Sequence, residues 1–251
     1  RLSDVSEPGD VGLLAGRGSI FLEIWRVFKI GVEFLRGFKA FRGIGPGVTV
    51  FGSARFKPGH RYYQLGVAVG RSLGLEGFTI ITGGGPGVME AANCGAKAVG
   101  AESVACNILL PFEQEPNSFL DSVVTVYYFF VRKVLLVKYA YGFVILPGGF
   151  GTLDEMTEAL TLIQTGKIYD FPVVLLGRDY WKGLIHWFEN TLAVEGAISL
   201  PDLNKIHFVD TPEEVAKIFR DLAPRVGIQR TLMEKRQRFQ NQGSPKEQST
   251  V

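Results

Sequence analysis

The sequence predicts an α/β protein: a doubly wound parallel sheet flanked by helices on both faces, with an amphipathic helix on its N-terminal side. Two observations lead there. From residue 48 to residue 222, short apolar, β-branched segments alternate with segments of helical spacing, the pattern of strands joined by crossover helices. Two glycine-rich turns, GGGPGV at 83–88 and PGGFGT at 147–152, each directly follow one of those strands, and in open α/β sheets ligands bind beyond the carboxyl ends of strands where the winding reverses.

The elements follow in order. SIFLEIWRVFKIGVEFLRGFKAF, residues 19–41, carries Glu23, Arg26, Lys29, Glu33, Arg36 and Lys39 at steps of three or four, which places charge along one face of a helix. After the break at Gly43–Gly47, VTVFGSAR gives a strand ending in Gly52, Ser53 and Arg55, and residues 60–75 show helical spacing. FTIIT, the first glycine-rich turn with Pro86, and a small-residue helix come next. SVACNIL is a strand, PFEQEPNSFLD a polar loop, VVTVYYF a short strand running into the helix of FVRKVLLVKYA, and GFVIL the strand before the second glycine-rich turn. Helix 151–164, strand FPVVLLG, helix 180–193, strand IHFVD and the Thr-capped TPEEVAKIFRDL complete the alternation. This divides the chain into an N-terminal extension over 1–45, a nucleotide-binding domain over 46–224, and a polar tail over 225–251 that is expected to fray.

Composition narrows the function. With 251 residues, 46% hydrophobic and 21% charged, the chain has the material for a substantial core. A formal net charge of +2 from 27 basic and 25 acidic residues argues against nucleic acid as partner. Cys94 and Cys106 are the only cysteines and lie among apolar or small residues, so buried thiols and a reducing compartment are expected, with no disulfide framework. His60, His186 and His207 are far apart and make no ligand spacing with the cysteines, so no metal is expected. The charges within 19–41 exclude a membrane-spanning reading, while its aromatic and basic content leaves a membrane-surface role as a weaker alternative. Nothing resembles a signal peptide, which makes the cytoplasm the expected compartment.

The two glycine-rich turns are suited to phosphate, because bare backbone lets N–H groups approach an anion and a following helix start adds partial positive charge. Neither is a Walker loop, and either one alone would also suit a structural tight turn. Beside them stand residues with chemistry. Glu155 reads as a first-turn helix acid or as a carboxylate that stabilises a sugar cation or orients water at a glycosidic bond. Asp154 is the neighbouring alternative, a helix-start or ribose-binding group. Arg132 and Lys133 interrupt an otherwise apolar segment, and at least one is expected to face the crevice, where an arginine fork grips phosphate. Thr152 offers a hydroxyl and an N–H.

PGGFGTLDE at 147–155 resembles the PGGxGTxxE signature of the Lonely Guy (LOG) proteins, GGGPGVMEAAN at 83–93 resembles their upstream glycine motif, and the Arg-Lys pair stands where they carry one. The resemblance spans residues 48 to about 220. It implies a Rossmann-like domain and a cytokinin riboside 5′-monophosphate phosphoribohydrolase, which cleaves the N-glycosidic bond of AMP or an N6-modified AMP to free base and ribose 5-phosphate. It implies Glu155 and Arg132 as catalytic residues. Lys133, Gly148, Gly149, Gly151, Thr152, Asp154 and Thr161 then match nucleotide contacts. Gly83, Gly84 and Gly85 match a second wall with Glu90 facing it, and Ser53 and Arg55 sit where the first strand's turn approaches the nucleotide. No cofactor is implied. Members are often labelled lysine decarboxylases, but no lysine here stands among the partners that a pyridoxal phosphate Schiff base needs. Asp154 replaces the glutamate of many plant members and FFVRK a more polar run, so base preference is not legible. The helix at 19–41 resembles the longer bacterial members, and the family assembles as dimers or higher oligomers, so that segment is expected to cover a subunit surface. The competing class is a nucleotide or molybdopterin-type cofactor carrier on the same fold, which has no need of a carboxylate at a scissile bond.

Overall fold

A computed structural model describes residues 10–14, 19–110 and 115–243. In chain order the elements are α1 (Asp10–Leu14), α2 (Ile20–Ala40), β1 (Gly47–Phe51), α3 (Arg61–Leu75), β2 (Thr79–Thr82), α4 (Val88–Lys97), β3 (Ser103–Ile108), β4 (Ser122–Val126), α5 (Phe129–Lys138) and β5 (Ala140–Ile145). They continue with α6 (Phe150–Gln164), β6 (Val173–Leu176), α7 (Arg178–Trp187, extended by a π-helical turn over Phe188–Leu192), α8 (Leu200–Leu203), β7 (Ile206–Val209), α9 (Pro212–Leu222) and α10 (Gln229–Gly243).

All seven strands are parallel, in the order β4-β3-β2-β1-β5-β6-β7. The chain winds outward from β1 to β4, returns to the other side of β1 with β5, and winds outward again, so the topological switch point lies between β1 and β5. Strands β1, β2, β3 and β6 are buried at every position, which is why they read as apolar runs without alternation. One face of the sheet packs on α3, α4, α9 and the start of α10 through Val69, Leu73, Ala92, Phe219 and Leu232, all almost fully buried. The other packs on α5, α6 and α7 through Leu135, Met156, Ala159 and Trp181.

Three expectations change. The tail does not fray at Arg225: α10 continues to Gly243, with Leu232 buried, Lys235 Nζ donating to Thr79 Oγ1 at 3.0 Å and Arg236 paired with Glu76. Its polar sequence hid this because two charged contacts and a few apolar anchors hold it down. Residues 244–251 lie outside the described part. Cys106 is buried as expected, but Cys94 is only half-buried. Finally, α2 forms over nearly the expected residues, with Ser19 as its cap, yet the charged positions do not share one exposed face: Lys29, Arg36 and Lys39 are exposed while two others turn inward. Arg26 and Glu33 are the buried side chains, against Glu23 and the N–H of Tyr127 respectively. Phe21, Ile24, Trp25 and Phe28 point outward, Phe21 at 81% exposure.

Candidate active site

Three turns converge beyond the carboxyl ends of β1, β2 and β5. The Ser53 N–H donates to the Pro147 carbonyl at 3.0 Å, and the Ser53 carbonyl accepts from the Val88 N–H at 3.0 Å. The turn after β1 is thereby tied to both glycine-rich turns. Ser53 Oγ accepts the Arg55 N–H at 3.1 Å, shaping its own turn, and the Arg55 side chain is exposed.

The first glycine-rich turn is held by a buried polar web. The Gly84 N–H donates to Thr82 Oγ1 at 2.9 Å, Thr82 Oγ1 donates to Asn93 Oδ1 at 2.7 Å, and Asn93 Nδ2 donates to Ser103 Oγ at 2.8 Å. Asn117 Nδ2 reaches the Gly84 and Gly85 carbonyls at 3.1 and 3.2 Å from the long loop between β3 and β4. Gly84 and Gly87 have φ of +75° and +71°, values that favour glycine. At Gly83 a methyl group would overlap the Arg132 guanidinium. Glu90 lies in the first turn of α4, and its Oε1 accepts from Tyr63 OH at 2.9 Å, linking α4 to α3.

The second turn opens α6. The Gly148 carbonyl accepts from Tyr180 OH at 2.8 Å, and a methyl on Gly148 would overlap the buried Thr152 side chain. By contrast, a Cβ at Gly149 or Gly151 would meet no atom within 4 Å. The N-terminus of α6 therefore presents the Phe150 and Gly151 N–H groups to open space, while those of Thr152 and Leu153 donate to the Gly149 carbonyl at 3.0 Å. Phe150 between them is 92% exposed.

Glu155 belongs to the second turn of α6, since the helix starts at Phe150 with Gly149 as its cap. The reading of Glu155 as a first-turn acid is corrected accordingly. Its side chain is buried, and Oε2 has no hydrogen-bond partner among the described residues. Burial pushes its pKa up to about 7; the positive charge of Arg132 opposes that most strongly, and Glu158 adds to it. Arg132 closes the first turn of α5, where Nε donates to the Cys106 carbonyl at 3.0 Å and Nη2 to the Gly83 carbonyl at 3.4 Å. The guanidinium thus clamps β3 and the first glycine-rich turn, and its charge acts on Glu155 without an ion-pair contact between them. Burial lowers the pKa of Arg132 and the Glu155 charge raises it in return. The Cys106 thiol, buried against them, is pushed up to about 12 and is not a nucleophile at neutral pH.

Lys133 points to the rim of the site and pairs with Asp154 at 2.8 Å and Glu158 at 3.1 Å. Burial works to lower its pKa, and the hydrogen bonds to these two carboxylates outweigh it, leaving the group above its ordinary value. Thr161 is about three turns along α6 from the glycines: its hydroxyl donates to the Thr157 carbonyl at 2.8 Å, and it lines a separate cavity of about 140 Å³ with Phe188 and Ile206. The structure does not bring it to the crevice. A cavity of about 820 Å³ opens at the opposite end of the sheet, near Phe171, His207 and Leu222, away from the strand ends that bind ligands in this topology. Asn117, Tyr180 and Glu158 are residues around the site that the sequence did not signal, because each acts through long-range contacts rather than a spacing.

The raised pKa of Glu155 has a cost in stability. The folded chain retains this proton up to about pH 7, whereas the ordinary carboxylate loses it near 4.5. The folded state therefore binds more protons in that window, and the group's contribution to stability falls as pH rises through it. Glu155→Gln is expected to leave denaturant stability unchanged near pH 4.5 and to raise it by up to roughly 3 kcal/mol at pH 8, measured by urea unfolding at the two pH values.

Comparison with known proteins places this site in a family. The family model described as possible lysine decarboxylase matches residues 89–219. The chain is 31% identical over 169 residues to the cytokinin riboside 5′-monophosphate phosphoribohydrolase LOG4 of Arabidopsis thaliana, covering 65% of this chain and 76% of that protein. It is 31% identical over 159 residues to the cytokinin riboside 5′-monophosphate phosphoribohydrolase of Rhodococcoides fascians, covering 61% and 78%. Among solved structures, the molybdenum cofactor binding protein of Rippkaea orientalis aligns with a TM-score of 0.52 at 22% identity, over 72% of this chain and 98% of that one; at that identity it shows the shared fold alone. With the glycine-rich turns, Arg132 and Glu155 assembled at one switch point, the chain belongs to this LOG-like family, whose model carries the description possible lysine decarboxylase.

Proposed function

We propose that the protein is a phosphoribohydrolase that cleaves the N-glycosidic bond of AMP or an N6-modified AMP, releasing free base and ribose 5-phosphate. The observation that carries this reading is the placement of a buried carboxylate, Glu155, one turn of α6 beyond an open, glycine-lined helix N-terminus. The 5′-phosphate occupies that N-terminus, held by first-turn N–H groups and Thr152. Residue 155 lies about 6 Å further along the helix axis than residue 151, so the ribose of a bound nucleotide extends toward it. Ionised Glu155 stabilises positive charge at C1′ as the bond to the base breaks, and orients the water that adds there. The bonding electron pair leaves with the base, which takes up a proton, and the water loses one on bonding to C1′. Arg132 limits the rise of the Glu155 pKa to about 7, so that the buried group is ionised above that pH. Phosphate binding supplies the energy that positions the sugar.

The nucleotide-binding unit comprises residues 46–224, and the protein acts as a homodimer or a higher homo-oligomer. The outward apolar face of α2, together with exposed Phe129, Phe130 and Val134 on α5, supports assembly. Among the described residues no helix is long and apolar enough to cross a membrane. Cys94 and Cys106 are free, which supports a reducing compartment, the cytoplasm.

Incubation with AMP and, separately, with isopentenyladenosine 5′-monophosphate is expected to yield free base and ribose 5-phosphate by chromatography. Glu155→Gln is expected to lose at least about 100-fold in kcat, and kcat/KM of the parent to rise with pH and level off above about 7. Nucleotide that stays bound but intact would support the carrier reading instead. In light scattering the parent is expected to be at least dimeric, and Trp25→Glu with Phe28→Glu to shift it toward monomer.

A further inference from the structure

We propose that Glu33 and Asp10, both in the N-terminal extension, are positioning residues of the active site: they cap helix α5 and thereby fix Arg132 beside Glu155. The proposal rests on the phosphoribohydrolase reading for its kinetic consequences, while its geometry stands apart from it. Helix α5 lacks a cap of its own. Its N-cap residue, Tyr128, supplies no side-chain hydrogen bond, and its first turn contains no acid. The acceptors come instead from far away in sequence. The Tyr127 N–H donates to Glu33 Oε1 at 3.0 Å and the Phe129 N–H donates to Asp10 Oδ2 at 2.9 Å. Two carboxylates at a helix N-terminus satisfy its free donors and complement its dipole.

Glu33 is not placed there for packing. It is only 6% exposed, and its Oε2 has no hydrogen-bond partner among the described residues, a position where an apolar side chain would avoid the desolvation of a carboxylate. Close docking of α2 on α5 adds to the constraint, because Gly37 lies so near Leu135 that a methyl there would overlap it. Arg132 follows one turn after these capped groups, its N–H donating to the Tyr128 carbonyl at 3.2 Å. In a helix of ten residues, losing the first turn displaces everything attached to it, and small displacements of a catalytic group cost much of its effect.

The test uses the full chain and three variants, Glu33→Ala, Glu33→Gln and Asp10→Ala. The readings are kcat and KM for AMP, the thermal midpoint, and the titration midpoint of Glu155 from carboxyl ¹³C NMR, assigned with Glu155→Gln. The charged and titratable groups acting on Glu155 are Arg132 and Lys133 from α5, Asp154 and Glu158 from α6, and Cys106 from β3; of these, capping of α5 governs the first two. Glu33→Ala is expected to lower kcat/KM on the order of 10-fold and to move the Glu155 midpoint upward, because the nearest positive charge has withdrawn. Glu33→Gln, which retains the acceptor, is expected to restore most of both, and Asp10→Ala to show the same upward shift to a smaller extent. A lowered thermal midpoint with Glu155 titrating as in the parent, in both alanine variants, would overturn the proposal. Should the parent cleave no nucleotide, the hydrolase reading fails on its own, and the Glu155 midpoint still decides: moved upward it upholds the positioning role, unmoved it overturns it. If Glu33→Ala does not fold, Asp10→Ala gives the same decision.

Discussion

The burial of one carboxylate, Glu155, beside one guanidinium, Arg132, is the constraint on which the site is built. A charge taken out of water is tolerated only with a partner, and the partner here is itself pinned by two backbone carbonyls, of Cys106 and Gly83. The carboxylate therefore depends on β3, on the first glycine-rich turn and on α5 at once. Its pKa of about 7 expresses the balance of desolvation against the charges of Arg132 and, more weakly, Lys133, and it leaves the group able to exist in either protonation state at neutral pH.

Everything around this pair follows from the position of the switch point. Because β1 and β5 are neighbours but not consecutive, their turns and that of β2 meet, and hydrogen bonds through Ser53 lock them together. The glycines divide into two kinds of work. Gly83, Gly84, Gly87 and Gly148 allow the turns to approach each other, Arg132 or Thr152 closely, while Gly149 and Gly151 face open space and leave the start of α6 accessible. Only the second kind calls for a ligand. The buried web of Thr82, Asn93, Asn117 and Ser103 gives the first turn a rigidity that its three consecutive glycines alone would deny it.

Much of this was legible in the sequence. Strand and helix order, the parallel sheet and the two loops at one crevice follow from apolar runs, periodicity and glycine placement, and the structure has them. Arg132 and Glu155 could be named from chain position and motif, and the fold brings them together. What the sequence concealed lies in contacts between distant segments. The polar composition of residues 229–243 gave no sign of a docked helix, since its anchors are Leu232 and the ion pairs of Lys235 and Arg236. The charge periodicity of α2 was visible, but which face turns inward was not, because Glu33 is drawn in by unpartnered N–H groups at α5, which periodicity does not record. Thr161 was named only through the family resemblance, and its hydroxyl is turned to the Thr157 carbonyl on the side of a separate cavity.

The most direct measurement is a crystal structure of the Glu155→Gln variant soaked with AMP. The account predicts the 5′-phosphate at the N–H groups of Gly149–Gly151, with C1′ of the ribose facing residue 155 and Arg132 still bound to the carbonyls of Cys106 and Gly83. Nucleotide in the cavity near Phe171 and His207, or phosphate at the α6 N-terminus with C1′ turned away from residue 155, would contradict it.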